Sequence, residues 1–202
     1  AGDAAAAGDA AAAGDAAAPA GPAATWTAEG FSAPETVLVA PEGDVYLVSN
    51  LNGNPLDKDD NGFISKLGTD GKIVELKWID GAKPEIELNA PKGLAIMNGV
   101  LFVSDVDAVR KFDAKTGAPQ GAIAFAEANF LNDLAVAKDG KALYVTDSAI
   151  GPDFKPKGNP AIFAIVGDEA PKALEIPNLG LVNGVTAVVG AEGDTVYYVD
   201  FG

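Results

Sequence analysis

The sequence predicts an all-β chain of the β-propeller class, built from four-stranded antiparallel blades, and three observations carry that expectation. One short phrase recurs four times, as "DVYLVSN", "VLFVSD", "KALYVTD" and "TVYYVD". Each copy follows another apolar run and a tight turn, and the first three are followed by two more strand-like runs. The residues that open the repeats, Glu35, Lys92, Asn132 and Asn183, lie 57, 40 and 51 residues apart. Four short strands per unit at such a period fit blades packed face to face around an axis. No stretch of useful length repeats at 3.6 residues, which excludes a helical solenoid.

The elements follow in order. Blade one, expected over about residues 33–80, opens with "PETVLV", turns at "PEGD" and returns as "DVYLVSN". Its third and outer strands are "GFISKLG" and "KIVELKWI". Blade two, about 90–126, runs through "PKGLAI", "MNG", "VLFVSD", "AVRKFDAKTG" and "GAIAFA". Blade three, about 130–177, runs through "LNDLAV", "AKDG", "KALYVTD", "AIFAIVGD" and "KALEI". The first half of blade four, about 181–202, is "VNGVTAVV", "AEGD" and "TVYYVD". Asp, Asn and Gly populate the four inner turns because they tolerate the backbone conformations of tight hairpins. The propeller thus occupies residues 25–202, with about three and a half blades present and a truncated last unit. An exposed strand edge there predicts self-association.

Residues 1–24 differ in kind. They hold 15 Ala, 4 Gly, 3 Asp and 2 Pro, with Gly-Asp every six residues. Side chains no larger than alanine cannot offset the entropy of ordering, and each Gly costs a helix about 1 kcal/mol, so a flexible tether is expected.

Composition narrows the chemistry. With 29 acidic and 14 basic residues the net charge is −15, which repels nucleic acid and anionic membranes and attracts cations. No apolar run reaches the roughly 18 residues that a membrane helix needs. The chain has no Cys and no His, which excludes disulfides, thiolate chemistry, Ser-His-Asp hydrolysis and the usual zinc sites. A metal here must be held by oxygen, which points to calcium, magnesium or manganese. An exported location, periplasmic or secreted, is expected, with a cytoplasmic one left open.

Two sets of repeat-equivalent residues stand out. Asn50, Asp105, Asp147 and Asp200 close the second strands and are expected to accept backbone N–H bonds in the turn that follows. Glu35, Lys92, Asn132 and Asn183 open the first strands. They are polar but varied, as expected of a site where inner strands converge on one axis rather than of an architectural position.

At these residues the chain resembles the senescence-marker-protein and gluconolactonase family of six-bladed propellers, relatives of the paraoxonases and strictosidine-synthase-like proteins. The carriers are "SAPETVLV", "FLNDLAV" with "LYVTDS", and "LVNGVTAV" with "VYYVDFG". The resemblance implies one divalent ion, usually calcium, at the channel mouth, held by Glu35, Asn132 and Asn183. It also implies a lactone or ester substrate touched by Lys92 or Asn132. The catalytic Asp of the family's fifth blade, a ligand and general base, falls beyond Gly202, so no catalytic residue is assigned. Lys92 departs from the pattern: its ammonium either orients an anionic substrate or pairs with Glu35 and leaves no metal there. The alternative function is a non-catalytic propeller binding a small ligand or protein partner at its mouth.

A second acidic loop, "NGNPLDKDDNGFISK", sets Asp57, Asp59 and Asn61 before Gly62, like the first half of an EF-hand calcium loop. Phe63 would add a backbone carbonyl, and Asn52, Asn54 or water would complete the shell. The twelfth position is Gly68 instead of Glu, and flanking helices are lacking. The same run also reads as a hairpin loop that binds nothing. This loop and the proline-rich "SAIGPDFKPKGNPA" are expected to rim the channel mouth.

Overall fold

The computed structural model describes residues 24–126, 128–190 and 193–200, so the tether expected over residues 1–24 lies almost wholly outside the described residues. Those residues form strands, turns and bends with no helix, and hence no helix able to cross a membrane. The chain is a β-propeller arc.

The first sheet is β1 (Pro34–Val39), β2 (Val45–Asn50), β3 (Phe63–Gly68) and β4 (Ile73–Asp80), antiparallel in that order from the inside outward. The second is β5 (Leu94–Met97), β6 (Val100–Ser104), β7 (Ala108–Asp113) and β8 (Pro119–Ala124). The third is β9 (Leu131–Val136), β10 (Ala142–Asp147), β11 (Ala161–Val166) and β12 (Lys172–Ala173). The pair β13 (Val182–Gly190) and β14 (Gly193–Asp200) follows. Val, Ile, Leu and Tyr favour these pleated, half-buried surfaces. Asn98 and Gly99, at φ 52° and 79°, make the two-residue turn that pairs Met97 with Val100.

Alternation along each strand sends successive side chains to opposite faces, and in blades two and three both faces are apolar because each lies between two others. Leu47, Ile64, Trp78 and Ile79 of the first blade pack on Leu94, Leu101, Val103 and Phe112 of the second. Ala95, Phe102 and Val109 on the second blade's other face meet Leu131, Leu134, Leu143 and Ile165 of the third. The inner strands lie side by side, β1 against β5, β5 against β9 and β9 against β13. The outer strand expected over "KALEI" shrinks to Lys172–Ala173, with one more bond from Leu174 N to Ile162 O at 2.8 Å. Pro171 and Pro177 flank it, and neither can donate to a ladder.

Candidate functional site

The entry of each inner strand carries the same irregularity. In the first blade Pro34 pairs with Asn50 and Val37 with Val48, so Glu35 and Thr36 together oppose Ser49. In the third, Leu131 pairs with Asp147 and Leu134 with Val145, which sets Asn132 and Asp133 against Thr146. In the fourth, Val182 pairs with Asp200 and Val185 with Tyr198, which sets Asn183 and Gly184 against Val199. Lys92 and Gly93 face Ser104 in the same way, joined by Lys92 N to Ser104 O at 2.9 Å and Ser104 N to Gly93 O at 3.1 Å. These are β-bulges, two residues against one, which break the strict alternation and re-aim a side chain.

A hydroxyl fills each of the first three bulges and ties it to the next blade. Thr36 N, Gly93 N and Asp133 N donate to Ser49 Oγ, Ser104 Oγ and Thr146 Oγ1 at 2.9, 2.8 and 2.9 Å. Those hydroxyls donate onward to the carbonyls of Lys92 at 2.6 Å, of Asn132, and of Asn183 at 2.7 Å. Lys92, Asn132 and Asn183 are therefore each positioned by the blade before. Gly93 is required by the same closeness: a Cβ there would lie 2.8 Å from Asn132 O and Asp133 Cα. At blade four Val199 stands where the hydroxyl would be, and Val185 N, one residue past the bulge, donates to Asp133 Oδ2 at 2.9 Å. Burial pushes the Asp133 carboxyl upward, against the N–H groups of Val185 and Leu134 that hold its charge.

The four opening side chains sit in different surroundings. Glu35 is exposed. Asn132 is buried, and its Nδ2 donates to Ser148 Oγ at 3.3 Å. Asn183 is half-buried. Lys92 is 1% exposed, with Nζ donating to Ala90 O at 3.0 Å and lying 4.6 Å from the centre of the Phe130 ring. Burial lowers its pKa to about 8, although Asp105 and Glu35 favour its charge. Lys92 and Glu35 thus act on each other electrostatically.

Asn50, Asp105 and Asp147 do accept backbone N–H groups, but chiefly from the segment that leads into the inner strand rather than from the following turn. Ser32 N reaches Asn50 Oδ1 at 3.0 Å; Asn89 N and Ala90 N reach Asp105 at 3.1 and 2.8 Å; Asn129 N and Phe130 N reach Asp147 at 3.2 and 2.9 Å. Only Asp147 also serves its own turn, through Ala149 N at 2.9 Å. Asp200 occupies the equivalent place, its carboxylate lying 2.8 Å from where a Cβ on Gly180 would be. The reason is the bulge: it leaves the approach to the strand short of ladder partners. Arg110 completes the second-blade anchor, with Nε 3.1 Å from Asp105 and a terminal nitrogen 2.7 Å from Glu87.

In the acidic loop Asp57 and Asp59 are exposed, Asp59 Oδ2 accepts from Asn61 Nδ2 at 2.5 Å, and Asn52 Nδ2 donates to Asn61 O at 2.9 Å. Phe63 is buried and paired with Asn50 and Asp80 at the start of β3. Gly62 lacks the left-handed φ of a sharp bend; a Cβ there would strike Pro91 Cδ at 2.3 Å and Asn89 O at 2.4 Å, so it serves contact between blades. Among the described residues no three acidic side chains cluster closely enough to hold a metal ion.

The hydroxyls Ser49, Ser104 and Thr146 are functional positions that the expected site omitted. Their signal was present in "SN", "SD" and "TD", where Ser or Thr always precedes the anchoring residue in the first three repeats.

No family model and no curated protein matches the chain. Its fold resembles solved structures. The nidogen/laminin complex aligns at TM-score 0.60 with 18% identity, over 83% of this chain and 56% of the other. A gluconolactonase from Xanthomonas campestris aligns at TM-score 0.56 with 17% identity, over 83% and 56%. A putative 6-phosphogluconolactonase from Bacteroides fragilis aligns at 0.53 with 14% identity, over 83% and 47%. The alignments span about half of those chains, and at such identities the likeness establishes the β-propeller fold.

Proposed function

We propose that the chain is a lactonase-like propeller whose channel mouth holds a hard divalent cation and presents it to a lactone or related ester. The observation that supports this is the repeated bulge, which sets Glu35, Lys92, Asn132 and Asn183 at one register on adjacent inner strands. The donor set suits the ion: Glu35 supplies a carboxylate, and Asn132 and Asn183 supply amide oxygens. With Asn132 Nδ2 donating to Ser148, its Oδ1 is the atom that would coordinate the cation. Calcium, magnesium or manganese bound there would polarise the substrate carbonyl and stabilise negative charge developing on its oxygen. Asn132 orients the substrate in this reading, whereas Lys92, expected to touch it too, is buried under Phe130 and acts on the mouth only through its charge. Asp133 is committed to two backbone N–H groups and holds the fourth inner strand in place. Calorimetric titration with calcium tests the proposal. Heat of binding in the wild type that is weakened in Glu35→Gln supports it; wild type that takes up no calcium ends it.

Lys92 favours the second reading, a mouth that binds a ligand or partner without catalysis. A buried ammonium beside Glu35 is already a cation in the site. If calcium binds Lys92→Met but not the wild type, the native mouth belongs to this second class.

A further inference from the structure

The connections that share a face with the inner-strand entries are unequal in length. Residues 51–62 and 148–160 link the second and third strands of blades one and three, whereas residues 105–107 suffice in blade two. Two long loops therefore stand on either side of a short turn, and a cavity of about 190 Å³ lies where they meet. Leu56 and Lys58 line it from blade one, Ile150 and Lys157 from blade three, and Val106 and Asp107 from the short turn. Hydrogen bonds fix both loops. Leu56 N donates to Asn54 Oδ1 at 3.0 Å and Asp57 N to Asn54 O at 3.1 Å. Across the cavity Gly151 N donates to Lys155 O at 2.8 Å and Lys157 N to Ala149 O at 2.7 Å. Lys58 Nζ reaches Asp107 Oδ2 at 2.5 Å, while Lys157 has no ion-pair partner among the described residues. The described lining thus sets two ammonium groups against one carboxylate, an excess of one positive charge in a chain of net charge −15.

We propose that this cavity binds a small monocarboxylic acid, with its carboxylate between Lys157 and Lys58 and its apolar part against Leu56, Val106 and Ile150. The single excess positive charge matches a monoanion, whereas a phosphate dianion would leave the site negative. Each ammonium carries three N–H donors, so Lys58 serves a bound carboxylate while it still holds Asp107. The volume falls below the roughly 300 Å³ at which drug-sized pockets begin, which restricts the ligand to a few carbon atoms. Asn129, also in the lining, leads into β9 and Asn132, so the acid lies beside the strand entries. Its binding needs no metal there.

Heteronuclear NMR titrations of the calcium-free protein test the assignment, with butyrate, butyramide, butylamine and inorganic phosphate as probes. Saturable shifts at the amides of Val106, Asp107, Asn129 and Gly151 are expected with butyrate, and weaker binding or none with the other three. Lys157→Gln removes the unshared cation and should weaken butyrate binding roughly two- to fivefold. Asp107→Asn removes the competing carboxylate and should strengthen it by a similar factor. Lys157 is exposed and the Asp107 side chain is 37% exposed, so neither change empties a core, and the spectra themselves report folding. The assignment is overturned if butyrate gives no saturable shifts at these amides, if any other probe binds as tightly, or if either substitution leaves the affinity unchanged. Failure here leaves the calcium titration of the mouth unaffected, and a mouth that takes up no calcium leaves this site standing.

Discussion

Lys92 concentrates more unfavourable electrostatics than any other residue of the mouth, and its effect on stability has a definite sign. Its folded pKa of about 8 lies below the 10.5 of a free lysine, so between these values the unfolded chain binds more protons than the folded one. Stability therefore rises as pH increases from about 8 to about 10.5, by an amount on the order of 3 kcal/mol over that window. Below pH 8 the full cost of burying the ammonium is present. Lys92→Met should be more stable than the wild type at pH 7 and should lose this slope. Urea titrations at pH 7, 8 and 9.5 measure it, and parallel curves for the two proteins would contradict the assignment. At the same scale, Ser104→Ala removes the acceptor for Gly93 N and the donor to the Asn132 carbonyl, both buried. A loss of about 1–3 kcal/mol is expected in the same titration. An exposed hydroxyl such as that of Thr116 should cost far less.

Within and between blades, the governing device is the bulge with its hydroxyl clasp. Gly93→Ala puts a methyl group against the backbone of Asn132 and Asp133, which is not a flexible neighbour. A destabilisation of about 1–3 kcal/mol is expected from forced overpacking, measured as a lower urea midpoint with an unchanged slope. Trp78→Ala should cost about 3–5 kcal/mol by emptying the junction between blades one and two. The clasp was written in the repeats as a hydroxyl before each anchor, but its route was not. Hydrogen bonding across 28 to 43 residues follows from stacking the blades, which no local pattern specifies.

For the molecule as a whole, the arc presents two faces of the kind that elsewhere lie between blades. Val37 and Val39 of blade one are 62% and 56% exposed. By register they are the counterparts of Leu94 and Ile96, which pack in the first inter-blade core. At the other end Val188, Tyr197 and Val199 are exposed. An apolar face of this sort seeks cover. Concentration-dependent association of this 202-residue chain is expected in sedimentation velocity, and Val37→Glu with Val39→Glu should shift it toward monomer. A chain that stays monomeric at all concentrations, with or without the two charges, would contradict this.

By itself the sequence determined the repeat, the strand order within each blade, the hairpin turns and the register of Glu35, Lys92, Asn132 and Asn183, because these depend on alternation and turn chemistry over a few residues. Tertiary structure decided what surrounds them. Burial of Lys92 under Phe130, the reach of Asp105 and Asp147 back to the strand entries and the packing duty of Gly62 all arise where one blade meets another. There the environment of a side chain is set by residues distant in the chain, and only the folded arc brings them within a few ångströms.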